Sequence, residues 1–127
     1  MCGRMGLSVD KPDKIYERFE VSNEVPDFRA HYNTPPGTNN PVITKHSPNK
    51  ISYMHWGILP FFMRHDDKGR ELINAQAEGI ATKSTWKKSF IERRCVIPAT
   101  HYFEWDRKTK PTTPFKRKPK SLPGSFP

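Results

Sequence analysis

At 127 residues the chain has room for one domain of ordinary size, yet only 34% of it is hydrophobic and 13 residues are proline, so part of it is expected outside any core. The formal net charge of +9 is uneven: residues 1–105 hold 15 Lys and Arg against 12 Asp and Glu, and residues 106–127 hold seven against one. Bulk basicity is therefore a weak argument for nucleic-acid binding by the first 105 residues; with charges throughout the first 20 residues and no apolar run near 18 residues, neither a signal segment nor a membrane span is expected.

The chain opens Met1-Cys2-Gly3-Arg4. Removal of Met1 would leave Cys2 with an α-amine and a thiol on adjacent carbons. Such a 1,2-aminothiol condenses with an aldehyde to an imine, and the thiol then closes a five-membered thiazolidine ring. An α-amine titrates near about 8 and a thiol near about 8.5, so a useful fraction of the amine is nucleophilic around neutrality. The same four residues equally suit an inert chain start. Cys2 and Cys95, the two cysteines, show no CxxC or metal-ligand spacing and are expected as reduced thiols inside the cell.

Gly3–Ser8 reads as a strand leading away from the terminus. Asp10–Phe19 reads as a helix, with Asp10 as N-cap, Pro12 in the first turn, and Ile15, Tyr16 and Phe19 as the buried stripe. Residues 21–30 show no period and read as loop. In His31-Tyr32-Asn33-Thr34-Pro35-Pro36-Gly37 the paired prolines deny helix, and Asn33 either caps a turn or lines a site. Pro41–Thr44 and Ile51–Trp56 read as strands separated by a turn at Ser47-Pro48-Asn49-Lys50, with His46 and His55 on the surface. Trp56–Met63 is the most apolar run and is expected in the core. Aromatics on a loop broken by Gly57 and Pro60 also suit stacking on unpaired bases.

Asn74 stands among small residues in Ile73-Asn74-Ala75-Gln76-Ala77-Glu78, as a structural cap or as a positioned site group. Ala81–Phe90 reads as a helix with Trp86 and Phe90 inward and Lys83, Lys87 and Lys88 outward. Arg93–Pro98 begins a strand in which Cys95 is expected as a packed thiol. His101–Trp105 alternates, with Tyr102 and Glu104 on one face and His101, Phe103 and Trp105 on the other. A carboxylate among bulky aromatics suits general acid/base work, whereas an edge strand would turn Glu104 to solvent. Residues 106–127, with five prolines and seven basic residues, read as a disordered tail able to lie on phosphate.

Four groups of residues, in this order and at these separations, resemble the SOS response-associated peptidase (SRAP) family. They are Met1-Cys2-Gly3-Arg4; Tyr32-Asn33-Thr34-Pro35-Pro36-Gly37; Trp56-Gly57-Ile58-Leu59-Pro60 with Asn74-Ala75-Gln76-Ala77-Glu78; and Arg93-Arg94-Cys95-Val96-Ile97-Pro98-Ala99 with Tyr102-Phe103-Glu104-Trp105. The resemblance runs from residue 1 to about residue 111. It implies an α+β fold with a bent, barrel-like antiparallel sheet and a few short helices, incomplete at its C-terminal end, over residues 1–105. It also implies abasic-site processing in the DNA damage response. Cys2, freed of Met1, would link to the ring-opened aldehyde of an abasic site in single-stranded DNA as a thiazolidine crosslink. Asn74 would orient the amine or the sugar, and Glu104 would move protons, completing a catalytic set with Cys2. Arg4, Asn33, Phe62, Lys83 and Lys87 would contact the DNA, Phe62 as the wedge beside the lesion. The partner implied is single-stranded DNA carrying abasic sites, met by an intracellular monomer (in a bacterial cytoplasm or a eukaryotic nucleus), with no metal, no other cofactor and no membrane. Peptidase action would be limited to release of Met1, and lyase-like chemistry on the lesion is a further implication.

The chain departs from the family pattern in three places. Gln76 stands where the pattern has Arg, which removes a fixed positive charge and an orienting fork. Phe62-Met63 replaces an aromatic pair. A late His-Asp-Arg-Met-Pro run, whose His belongs to the family's catalytic group, is not in the chain. Three other readings compete: a fragment that binds DNA non-covalently through residues 106–127, a cysteine peptidase using His31, His55 or His101 as base, and an inactive truncated form.

Overall fold

Strand β1 (Arg4–Leu7) is the centre of the first of two antiparallel sheets. A computed structural model of the chain describes residues 3–9, 11–25, 28–63, 71–104 and the backbone of 115–117. Two compact units emerge, one formed by the residues up to Pro35 together with those from Pro98 onward, the other by Pro36–Ile97. The architecture is the expected antiparallel α+β; its described strands divide between two sheets, neither of them closed into a barrel.

In the first unit the strand order is β2-β1-β6-β7, with β2 at His31–Thr34, β6 at His101–Glu104 and β7 at Phe115–Arg117. Arg4 pairs with Phe103, Met5 with Tyr102 and Gly6 with His101. β7 falls within the segment that the sequence leaves without structure; the rest of 106–127 lies outside the described residues. Helix α1 (Asp13–Phe19) is shorter than its sequence signal. Pro12, not Asp10, takes the N-cap position, and its carbonyl accepts from the N–H groups of Ile15 and Tyr16 at 2.8 and 2.9 Å. Asp10 lies outside the described residues. The helix stops at Glu20, which adopts the left-handed conformation at φ 50° that usually favours glycine. Its inward stripe centres on Ile15, which is fully buried, with Tyr16 and Phe19 half-buried. The Tyr16 hydroxyl accepts from the Val25 N–H at 2.9 Å and ties down the loop that follows.

The second unit holds the sheet β4-β3-β5, with β3 at Asn39–Thr44, β4 at Ser47–His55 and β5 at Cys95–Val96. The β3–β4 turn is shorter than expected: it sits at Lys45-His46, and Ser47–Lys50 already belong to β4. A register shift between Ile43 and Thr44 takes up the difference. Val42, Ile43 and Ile51 form the core of this sheet. Pro41 is tolerated inside β3 because β5 pairs only with Ile43 and Thr44, so the proline meets a ladder on one side alone. Helix α2 (Ser84–Glu92) starts three residues later and ends two later than expected, with Lys83 as its N-cap; Trp86 is half-buried, but Phe90, expected inward, is exposed. Cys95 corrects an expectation: it is exposed, since among the described strands β5 is the edge of this sheet, paired on one side only.

Candidate active site

The residues expected to do chemistry divide between the two units. Cys2 lies outside the described residues. Arg4 and Asn33 are together: the Arg4 Nη1 donates to the Asn33 Oδ1 at 3.2 Å, on the exposed rim of β1 and β2. The Asn33 turn-capping alternative is not realised, because Asn33 is inside β2 and its side-chain oxygen faces the guanidinium. Glu104 ends β6 and is half-buried. Its strand is flanked by β1 and β7, so the edge-strand alternative does not hold. Alternation along β6 sets Glu104 with Tyr102 on one face, and His101 with Phe103, whose rings meet edge to face at 5.4 Å, on the other. Phe103 is directly opposite Arg4, so Arg4 and Glu104 leave the sheet from opposite faces.

His101 is the most constrained of the candidate bases. It is 2% exposed. A carbonyl oxygen only accepts, so Nε2 carries a proton and donates to the Tyr32 carbonyl at 2.9 Å. Nδ1 lies 3.0 Å from the Thr100 Oγ1 and 3.4 Å from the Ser8 Oγ. Thr100 in turn donates to the Gly6 carbonyl at 3.2 Å and accepts from the Ser8 N–H at 2.9 Å. Both ring nitrogens are committed to holding β1, β2 and β6 together, which leaves His101 a structural part and not a peptidase base. The ring occupies the space a side chain at Gly6 would need: a Cβ there would collide with its Nε2 and Cε1 and stand 2.7 Å from the Tyr32 oxygen.

In the second unit the apolar run does not form the core it promised. Pro60 is buried, but Phe61 and Phe62 are 83% and 68% exposed, with their rings edge to face at 5.4 Å. Two exposed phenyl rings side by side are an apolar patch on the surface rather than a packing element. Asn74 is also exposed, which removes the need for a buried partner. It follows a strip, Glu71–Ile73, that is held against residues 55–58. Ile58 and Leu72 exchange both backbone hydrogen bonds, at 3.0 and 2.9 Å, and the Trp56 indole N–H donates to the Ile73 carbonyl at 3.2 Å. The His55 Nε2 stands 4.0 Å from the Glu71 carboxylate. Sequence reasoning did not find this strip; its one signal was the Gly in Trp56-Gly57-Ile58-Leu59-Pro60.

Lys83 and Lys87 sit one turn apart at the start of α2, joined through the Lys87 N–H to the Lys83 carbonyl at 2.9 Å, and both are exposed. The Lys83 stem lies over Gly79, where a Cβ would come within 2.9 Å of its Cε. Two cations beside the open N–H groups of a helix start make a local attraction for phosphate. Among the described residues, no group of three His, Cys, Asp or Glu side chains could hold a metal ion, and no helix is long and apolar enough to cross a membrane.

Comparison with known proteins agrees with the sequence resemblance. A model of the family described as SOS response associated peptidase (SRAP) matches residues 1–123. The abasic site processing protein YoqW of Bacillus subtilis is 34% identical over 96% of this chain and 57% of its own length. YobE of the same organism, also an abasic site processing protein, is 34% identical over 96% and 58%. A crystal structure of a protein from Bacteroides thetaiotaomicron superposes with a TM-score of 0.72 at 22% identity, covering 91% of this chain and 52% of that one, and so shares its fold. The chain spans little more than half the length of these relatives.

Proposed function

The chain belongs to the SOS response associated peptidase family, and on that premise we propose that it captures abasic sites in single-stranded DNA by covalent attachment through Cys2. Loss of Met1 frees the α-amine. That amine adds to the C1′ aldehyde of the ring-opened sugar, and expulsion of water gives an imine. The Cys2 thiol then adds to the imine carbon, its proton passing to nitrogen, and the thiazolidine closes; one water is lost in all. Glu104 serves as the group that gives and takes the protons, and Asn74 orients the amine or the sugar. Arg4 with Asn33, and Lys83 with Lys87, hold phosphates, while Phe62, with Phe61 beside it, stacks against an unpaired base. The relatives YoqW and YobE are named abasic site processing proteins.

The observation that carries this reading is a single register. β1 begins at Arg4, two residues after Cys2, and pairs along β6, which ends on Glu104. The start of β1, two residues along the chain from Cys2, and the half-buried Glu104 carboxylate are thereby at neighbouring strand ends, with the Arg4 guanidinium on the other face of the sheet.

The test is a denaturing gel. The protein, checked by mass for loss of Met1, is incubated with single-stranded DNA carrying one abasic site. A shifted band that survives heat and detergent and vanishes in Cys2→Ala is expected, with Glu104→Ala forming it more slowly by about 10²-fold or more. Salt-sensitive binding that persists in Cys2→Ala, with no heat-stable band from the unsubstituted chain, would establish non-covalent binding instead.

A further inference from the structure

Asn74 is exposed and lies outside any regular element, so something else must hold its side chain in one place. The holding parts lie between residues 55 and 58. The backbone of Trp56 is itself tied down: its N–H donates to the Thr38 carbonyl at 2.9 Å, and its carbonyl accepts from the Gly37 N–H at 2.9 Å. With both backbone groups engaged by the start of β3, the indole leaves from a fixed point. Its N–H reaches the carbonyl of Ile73, the residue immediately before Asn74. Two residues after Trp56, Ile58 closes its reciprocal pair with Leu72. Gly57, between Trp56 and Ile58, has φ 154°, and a Cβ there would stand 2.9 Å from the Glu71 Cβ. The missing side chain is what lets the strip come so close.

We propose that Trp56 is a positioning residue for Asn74: its indole N–H anchors the Ile73 carbonyl and so fixes the direction from which the Asn74 amide acts. This rests on the crosslinking role proposed above for Asn74. Trp56 touches no reacting atom in this scheme. Its effect passes through one carbonyl and one peptide unit to the side chain that does. A displacement of about 1 Å at an orienting group is enough to cost about 10²-fold in rate, so the anchor matters even though a single partly exposed hydrogen bond contributes little to overall stability.

The experiment uses the full chain and Trp56→Phe, which keeps an aromatic ring and removes the donor. Amide exchange is measured first. Leu72 and Ile58, whose N–H groups close the strip, are expected to exchange at least about threefold faster in Trp56→Phe, while Ile43 and Ile51 in the sheet stay as they were. Unchanged exchange at Leu72 and Ile58 would overturn the proposal whatever the activity. Crosslinking to abasic single-stranded DNA is measured next. Trp56→Phe is expected to slow it by about tenfold while DNA affinity stays within about twofold. In an Asn74→Ala background the same substitution should add less than about twofold, because its route to the chemistry has been removed. An effect of equal size in both backgrounds, or a loss of affinity matching the loss of rate, would overturn it. If the unsubstituted chain forms no crosslink, the functional reading fails, and the exchange result alone decides whether Trp56 holds the Asn74 segment.

Discussion

The surroundings of His101 and the Trp56–Met63 run reverse the usual relation between polarity and burial. His101 is polar and almost fully buried, while Phe61 and Phe62 are apolar and stand in water. The imidazole is acceptable inside because each ring nitrogen meets an oxygen, from Tyr32 on one side and from Thr100 and Ser8 on the other. It has room because Gly6, directly across the strand pair, has no side chain. The phenyl rings remain outside because Gly57 and Pro60 interrupt the run, and its backbone is used to hold residues 71–73 rather than to enter a sheet. Burial here follows hydrogen-bond satisfaction and backbone geometry more closely than hydropathy. The apolar residues left outside include Phe62, which the proposed reading sets against an unpaired base.

Substitutions in the two regions should separate stability from function. The largest effect is expected for His101→Ala. Removing the ring leaves the Tyr32 carbonyl without its donor and opens a void, at a cost of about 3 kcal/mol in urea unfolding. Gly6→Ala attacks the same contact from the other strand and should cost about 2 kcal/mol, because the new methyl group must displace the ring. In the second unit Gly57→Ala should cost about 1 to 2 kcal/mol through its φ of 154° and its contact with Glu71. Phe62→Ala, by contrast, should leave the unfolding midpoint within about 0.5 kcal/mol of the parent and weaken single-stranded DNA binding by about 1 kcal/mol or more. A large loss of stability from Phe62→Ala, or none from His101→Ala, would break the contrast.

The smallest effect concerns Cys95. Although the residue as a whole is exposed, neighbouring atoms keep some water from its thiol and push it up from the ordinary value. The folded chain therefore keeps this proton to higher pH than the unfolded chain does. Its contribution to stability is fully present below the ordinary thiol value and declines as pH rises through the alkaline range above it. A series of melting curves across that range should show a slightly shallower decline for Cys95→Ser than for the parent.

Much of the along-chain order was legible beforehand. The strand after Gly3, the helix around Ile15, the strands around Val42 and Ile51, the helix carrying Lys87, and the alternating β6 strand are all short-range patterns. A period of two or of 3.6 is written into consecutive residues, so the sequence alone can show it. The family was legible for a similar reason, since each of its motifs is a handful of adjacent residues. The helix start, at Asp13 after a Pro12 N-cap, and the turn at Lys45-His46 were displaced by a few residues; at the turn, the propensity of Ser47-Pro48-Asn49-Lys50 was overridden by pairing within β4.

What the tertiary structure alone decided are the relations between residues far apart in the chain. The Arg4–Asn33 bond spans 29 positions, and the His101–Tyr32 bond spans 69. Neither distance leaves any local trace. The exposure of Cys95 was decided by β5 being a two-residue edge strand, and the burial of His101 by the register that sets it across from Gly6. The sequence by itself determined which residue types are available for capture of an aldehyde, and in what order, because chemical identity is a property of each position. Which of them face one another depends on strand pairing, and pairing is settled by packing and hydrogen bonding summed over the whole chain.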